Sequence, residues 1–168
     1  MKVKAIVYTS NTGYTKEYAI MLSKATGLPA FSLAESKNNL AVGTEIVYLG
    51  WVMAGSVRGY NQAVRVYNVK TAVGVCLGTS GSQVDEVRKA TGIADDVELF
   101  TIQGGFDMNK LKGFNKLVMK MVRKKLTKDI ECKDQKTADD KFILDMLWNG
   151  GSAVSEKNLA VVIEHLSK

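Results

Sequence analysis

Ile6-Val7-Tyr8-Thr9-Ser10-Asn11-Thr12-Gly13-Tyr14-Thr15-Lys16-Glu17-Tyr18-Ala19 changes character twice within fourteen residues. An apolar run with strand character, Val3 to Tyr8, gives way to hydroxyl, amide and glycine residues. Helical spacing then begins at once with Tyr14, Tyr18, Ala19 and Leu22. The N–H groups of a helix's first turn have no partner inside the helix and sit at the positive end of its dipole, so the junction makes an anion site. Ser10, Thr12 and Thr15 add hydroxyl donors, and a phosphate can be held there without a cationic side chain. A Walker A loop is excluded, because Gly13 is followed by Tyr14 and Thr15 rather than by Lys and Ser/Thr. A three-glycine dinucleotide fingerprint is excluded because the turn holds one glycine.

At 168 residues the chain predicts a single domain, residues 1–168, large enough to bury a core. With one Pro, two Cys, no secretory leader and no twenty-residue apolar run, it reads as soluble and cytoplasmic. Cys76 and Cys132 suggest neither a metal site nor a disulfide, and with His165 the only histidine no Ser-His-acid set is at hand. The net charge of +6 is local. Residues 103–128 hold eight basic residues against one acid, a net +7, while the remainder holds 15 basic and 16 acidic residues, a net −1. The basic segment has few aromatics and no recognised module, so a nucleic-acid role is not expected.

Further apolar runs at Leu28–Leu33, Glu45–Trp51, Ala72–Leu77 and Val97–Ile102 have the length and β-branched content of strands. Helical patterns stand at about 13–26, weakly at 62–69, at 84–91 and at 155–166. Strands alternating with helices through short polar turns predict an α/β fold: a five-stranded parallel sheet in the order 2-1-3-4-5, with helices on both faces. The helix due after the fifth strand appears some fifty residues late, so residues 103–152 read as a helical insertion after strand five.

Two more polar loops lie at the same sheet edge as the first. After strand three, Trp51 or Met53 can wall a planar ring, and Ala54-Gly55 offers a peptide able to change orientation at low steric cost. After strand four, Gly78-Thr79-Ser80-Gly81 allows close backbone approach. The first loop resembles the phosphate loop of the flavodoxin family, with Tyr8, Ser10, Gly13 and Thr15 in the family's aromatic, hydroxyl, small and Thr places. The resemblance spans nearly residues 1–102 and the last helix. It implies a three-layer flavodoxin-like fold binding FMN non-covalently: Ser10, Asn11, Thr12, Gly13, Tyr14 and Thr15 at the phosphate, Trp51, Met53 and Ala54 on one side of the ring, and Gly78, Thr79, Ser80 and Gly81 on the other. No side chain is assigned a catalytic role, and no metal is expected. Residues 78–83 lack the stacking aromatic of many electron-carrying flavodoxins, and the chain is basic where those carriers are acidic. A response regulator is excluded by Thr9-Ser10, Gly50-Trp51 and Gln103-Gly104 at its required acid, Asp and Lys places. A Cys-based phosphatase is excluded because Ser82 stands where Cys76 would need an Arg.

Within the insertion, Leu111, Phe114, Leu117, Val118, Met121 and Val122 recur at helical spacing among lysines. At roughly 1.5–3 kcal/mol per buried side chain, such a stripe must cover something. The candidate covers are the second apolar cluster, Phe142 to Trp148 in an acidic segment; an anionic membrane surface met peripherally by residues 110–128; and a partner or acidic substrate. Gly104-Gly105-Phe106-Asp107 followed by a Lys- and Met-rich helix is similar to flavodoxin-domain proteins allied to the quinone-linked, FMN-dependent protoporphyrinogen oxidases of bacteria. The resemblance implies electron transfer through a flavin to a redox partner protein, or an FMN-dependent oxidoreductase acting on a small molecule with a quinone as acceptor.

Overall fold

The computed structural model describes residues 3–111 and 113–167, and the side chains of Phe114 and Asn115 also lie outside that description. Lys112 and the Phe114 side chain, both assigned to the insertion's stripe or its basic face, are therefore not placed. Strands β1 (Ala5–Thr9), β2 (Ala30–Ser32), β3 (Glu45–Met53), β4 (Ser56–Val57), β5 (Asn68–Cys76) and β6 (Glu98–Gln103) form one sheet. Five of them run parallel in the order β2-β1-β3-β5-β6, and β4 pairs antiparallel with the end of β3. Since β4 is only the return arm of a hairpin, this is the 2-1-3-4-5 order of a flavodoxin-like fold.

Alternation along the strands builds two apolar layers. Ala5, Val7, Ile46, Tyr48, Ala72 and Leu99 face α2 (Leu33–Asn39), α3 (Tyr60–Ala63) and α4 (Val84–Thr91). Ile6, Tyr8, Val47, Leu49, Val73 and Ile102 face α1 (Tyr14–Thr26) and the closing helix α7 (Glu156–Leu166). Both layers end at the same carboxyl edge, where β1 and β3 part their crossovers to opposite faces. A ligand-sized crevice forms at such a switch.

Three boundaries differ from the sequence expectation. The stretch 62–69 is helical only through α3, because Tyr67 turns into the core, where its hydroxyl donates to Ser36 Oγ at 2.9 Å, and β5 starts at Asn68. Strand three runs on past Trp51 to Met53 and folds back as β4. Gly50 lets it do so: a Cβ there would lie 2.6 Å from the Arg58 carbonyl and from Val57. The third difference is in the insertion. Helices α5 (Gly113–Glu131) and α6 (Ala138–Asn149) pack together, with Met119, Leu147, Val122, Leu126 and Ile143 around Phe106 and Leu111. The inward face of α5 is thus Met119, Val122, Leu126 and Ile130, while Leu117 and Met121 of the expected stripe point to solvent. Below the hairpin a short antiparallel ribbon, β7 (Gly105–Phe106) with β8 (Gly151–Ser152), joins the way out to the way back.

Candidate functional site

The first loop is built as an open helix start. Gly13 takes φ 99° and caps α1 without a side chain, and its N–H donates to Ser10 Oγ at 3.2 Å. The first helical bond runs from Glu17 N–H to the Gly13 carbonyl, so the N–H groups of Tyr14, Thr15 and Lys16 find no acceptor within the helix. Asn11, Thr12, Tyr14 and Thr15 line one cavity, of about 70 Å³, and within it the Asn11 Nδ2 group is buried without a hydrogen-bond partner. A buried unpaired donor costs about 1–3 kcal/mol, and here it sits beside an uncapped helix N-terminus, where an anion would satisfy both. Ser10 and Gly13 lie on the other flank of the loop, in an open crevice shared with Lys16 and Lys37.

Tyr14 is held by the base of the insertion. A Cβ on Gly105 would lie 2.7 Å from the Tyr14 ring and 2.6 Å from the Gly151 carbonyl, and the Lys110 ammonium stands 4.8 Å from the ring centroid. The phosphate-loop helix and the insertion therefore pack through one contact.

Trp51 borders the first cavity, with Val52, Val75, Cys76 and Leu77 beside it. Met53 and Ala54 instead line a second cavity of about 400 Å³. Ala54 and Gly55 both have left-handed backbones (φ 50° and 77°), which makes the connection a two-residue hairpin turn between paired Met53 and Ser56. It is anchored by Arg58 N–H to the Trp51 carbonyl (2.9 Å), Val57 N–H to Thr91 Oγ1 (2.9 Å) and Ser56 Oγ to the Ala90 carbonyl (2.8 Å). The freely reorienting peptide expected here is a pinned turn.

The second cavity lies between that hairpin, the loop after β5, and a roof made by α5 and α6. Its apolar lining is Met53, Leu77, Met119, Val122, Leu126 and Ile143, and it shares Val52, Cys76, Leu77 and Met119 with the first cavity. Among the described residues, Ala54 and Gln83 are the non-glycine positions with positive φ, and both line it. Such strain collects where a backbone is held for a purpose other than stability. Gly78 reaches the cavity, but the other three loop residues are tied elsewhere. Thr79 donates its N–H and its hydroxyl to Asp139 Oδ1 of α6, at 3.1 and 2.5 Å. Ser80 Oγ accepts from Gln103 N–H at 2.9 Å and donates to Asn158 Oδ1 at 3.1 Å, and Gly81 N–H donates to the Thr101 carbonyl at 2.8 Å.

Three ionisable groups carry the electrostatics. Burial pushes the Cys76 thiol up to about 11, and burial pushes the Tyr48 phenol up to about 12 while its hydroxyl bonds Thr9 Oγ1 and the Arg58 carbonyl, both at 2.8 Å. The Asp140 carboxyl, in the cavity wall, is held below its ordinary value first by the Lys133 ammonium at 2.6 Å and then by the Thr137 N–H. Cys76, Leu77, Gln83, Met119, Val122, Lys133 and Asp140 escaped the sequence reading. Cys76 and Leu77 had a usable signal as the last residues of a strand ending at the loop edge, whereas the contributions of α5 and α6 depend on how the hairpin folds over.

No protein-family model and no curated protein sequence matches the chain. Among the described residues no group of three or more His, Cys, Asp or Glu side chains is placed to hold a metal ion, and no helix is long and apolar enough to cross a membrane.

Proposed function

We propose that the chain binds FMN non-covalently and performs redox chemistry through it. The observation that carries this reading is the buried, unpartnered Asn11 amide beside an uncapped helix N-terminus, at the mouth of an apolar cavity. Asn11, Thr12, Thr15 and the first N–H groups of α1 would hold the phosphate. Trp51 would border the chain leading inward, and Met53, Ala54 and Gly78 would flank the ring in the second cavity, whose size suits a planar heterocycle. The flavin supplies the electron transfer, and the protein supplies its seat and its exclusion of water.

Two uses of such a flavin remain in play: electron transfer to a redox partner protein, and oxidation or reduction of a small molecule with a quinone as acceptor. One feature favours the second. Helices α5 and α6 roof the cavity, and a helix interposes roughly 10 Å between a buried ring and any docked protein, whereas a small molecule can share the cavity with the ring. Titration of the purified protein with FMN and with riboflavin, followed by flavin fluorescence, tests the core reading. FMN is expected to bind at least about tenfold more tightly, since charge-assisted phosphate contacts are worth about 1.5–3 kcal/mol each. Equal affinity, or an affinity unmoved by Thr12→Val with Thr15→Val, refutes it. Stopped-flow reoxidation of the loaded protein by a soluble quinone then separates the enzyme from the carrier, because a carrier is slow with organic acceptors.

A further inference from the structure

Helix α5 has two faces, and the FMN reading uses only one. The inward face, Met119, Val122, Leu126 and Ile130, closes the second cavity. Diametrically opposite, Leu117, Met121, Lys124 and Lys128 follow one another at intervals of four, three and four residues and form a stripe about 16 Å long. Lys120 and Lys125 flank that stripe. Leu117 is 60% and Met121 68% exposed, and the four lysines are exposed as well. No acid occurs from Gly113 to Lys128, although the chain outside residues 103–128 is almost neutral. Arg123, the helix's single arginine, is laid over the Trp148 ring of α6 at 4.4 Å from its centroid, which leaves only lysines on the outer face.

We propose that the outer face of α5 docks on an anionic lipid surface. The chemistry of the face selects that occupant. An acidic protein groove is gripped best by planar, bidentate guanidinium groups, and here the guanidinium is spent on Trp148. Lysines on flexible stems can instead spread sideways to headgroups while two aliphatic side chains between them enter the acyl boundary, which is how an interfacial helix partitions. Each lysine near such a surface contributes about 1 kcal/mol, so four together change the partition by several hundredfold at low salt. Docking in this orientation sets the roofed cavity one helix diameter, about 10 Å, from the lipid.

The test is co-sedimentation of the whole protein with vesicles of phosphatidylcholine alone and of phosphatidylcholine with phosphatidylglycerol, over a salt series. Binding to the anionic vesicles is expected to exceed that to neutral ones by about 100-fold and to fall with salt. Lys120→Glu with Lys124→Glu and Lys128→Glu is expected to abolish it. Leu117→Ser with Met121→Ser is expected to weaken it by about tenfold or more at constant salt, with the circular dichroism of both variants unchanged because every altered side chain is exposed. Equal partition into both vesicle types overturns the proposal. So does full binding by the serine variant, which would mark a diffuse charge attraction, and so does capture by an acidic protein without vesicle binding.

Discussion

Asn11→Leu should move two quantities in opposite directions. Its Nδ2 is buried without a partner, so the ligand-free protein carries the desolvation cost of an unmade hydrogen bond, about 1–3 kcal/mol. Leucine has no donor to desolvate, and its added carbon can enter the adjoining cavity of about 70 Å³. In a chain of this length 1 kcal/mol corresponds to about 2–4 °C in Tm, so the ligand-free variant should melt roughly 2–10 °C higher than the wild type. FMN affinity should fall, because the lost contact is a hydrogen bond to a charged phosphate, worth about 1.5–3 kcal/mol or roughly 10–100-fold. Asn11→Asp should weaken FMN further, since a carboxylate then faces the phosphate. Differential scanning fluorimetry of ligand-free protein and a fluorescence titration measure both. A lowered melting temperature together with unchanged FMN affinity would refute the reasoning, because the amide would then be structural.

Gly105→Ala drives a Cβ against the Gly151 carbonyl and the Tyr14 ring, so it should cost about 3 kcal/mol and also weaken FMN by shifting the start of α1. Gly81→Ala meets nothing within 4 Å and suffers only the left-handed backbone at φ 83°, about 1–2 kcal/mol; thermal melts that rank the two in reverse would contradict the packing described for Tyr14. At pH 8 iodoacetamide should modify the exposed Cys132 and spare Cys76, whose thiol is buried and pushed up to about 11, until the protein unfolds; intact-mass spectrometry reads the difference. Because the folded protein holds the Asp140 carboxyl below its ordinary 3.8, this group adds stability at all pH values above that figure and loses it as pH falls through the lower, folded value. Denaturation of wild type and Asp140→Asn should therefore differ most near neutrality and converge in acid; a constant gap down to low pH would rule that linkage out.

The sheet was legible because its signal is local: each strand is a short apolar run closed by a glycine or hydroxyl turn, and the run length alone separates parallel strands from helices. The loop after β1 was legible for the same reason, since an uncapped helix start is written in consecutive residues from Ser10 to Thr15. The hairpin at Ala54-Gly55 was not, because Ala54 is a poor residue for a left-handed turn and the sequence lacks the Asn-Gly or Asp-Gly that marks one. The roof was only half legible. A helix in residues 111–122 follows from spacing, but both faces of α5 carry aliphatic side chains, and the choice between Met119 and Met121 is made by α6, far along the chain. Thr79 and Ser80 show the remaining difficulty: a hydroxyl in a loop is an available donor in the sequence, and only folding reveals that Asp139 and Asn158 have claimed it.

The ribbon of β7 and β8 has a consequence for how this architecture can change. Gly104 N–H donates to the Cys76 carbonyl at 2.7 Å, and Ala153 N–H donates to the Gly104 carbonyl at 2.9 Å, so the excursion of some fifty residues leaves and rejoins the sheet at a single point. Tyr18 and Asn158 lock that point from the body side, with Asn158 donating to the Ala153 carbonyl at 2.8 Å and to the Tyr18 hydroxyl at 2.9 Å. Closing a loop costs chain entropy that grows only with the logarithm of its length, about 0.6 kcal/mol for each doubling. The excursion can thus be shortened, extended or exchanged while the sheet hardly registers it. Body and cover are separable modules on one chain, and the cover can diverge while the sheet edge beneath it stays as it is.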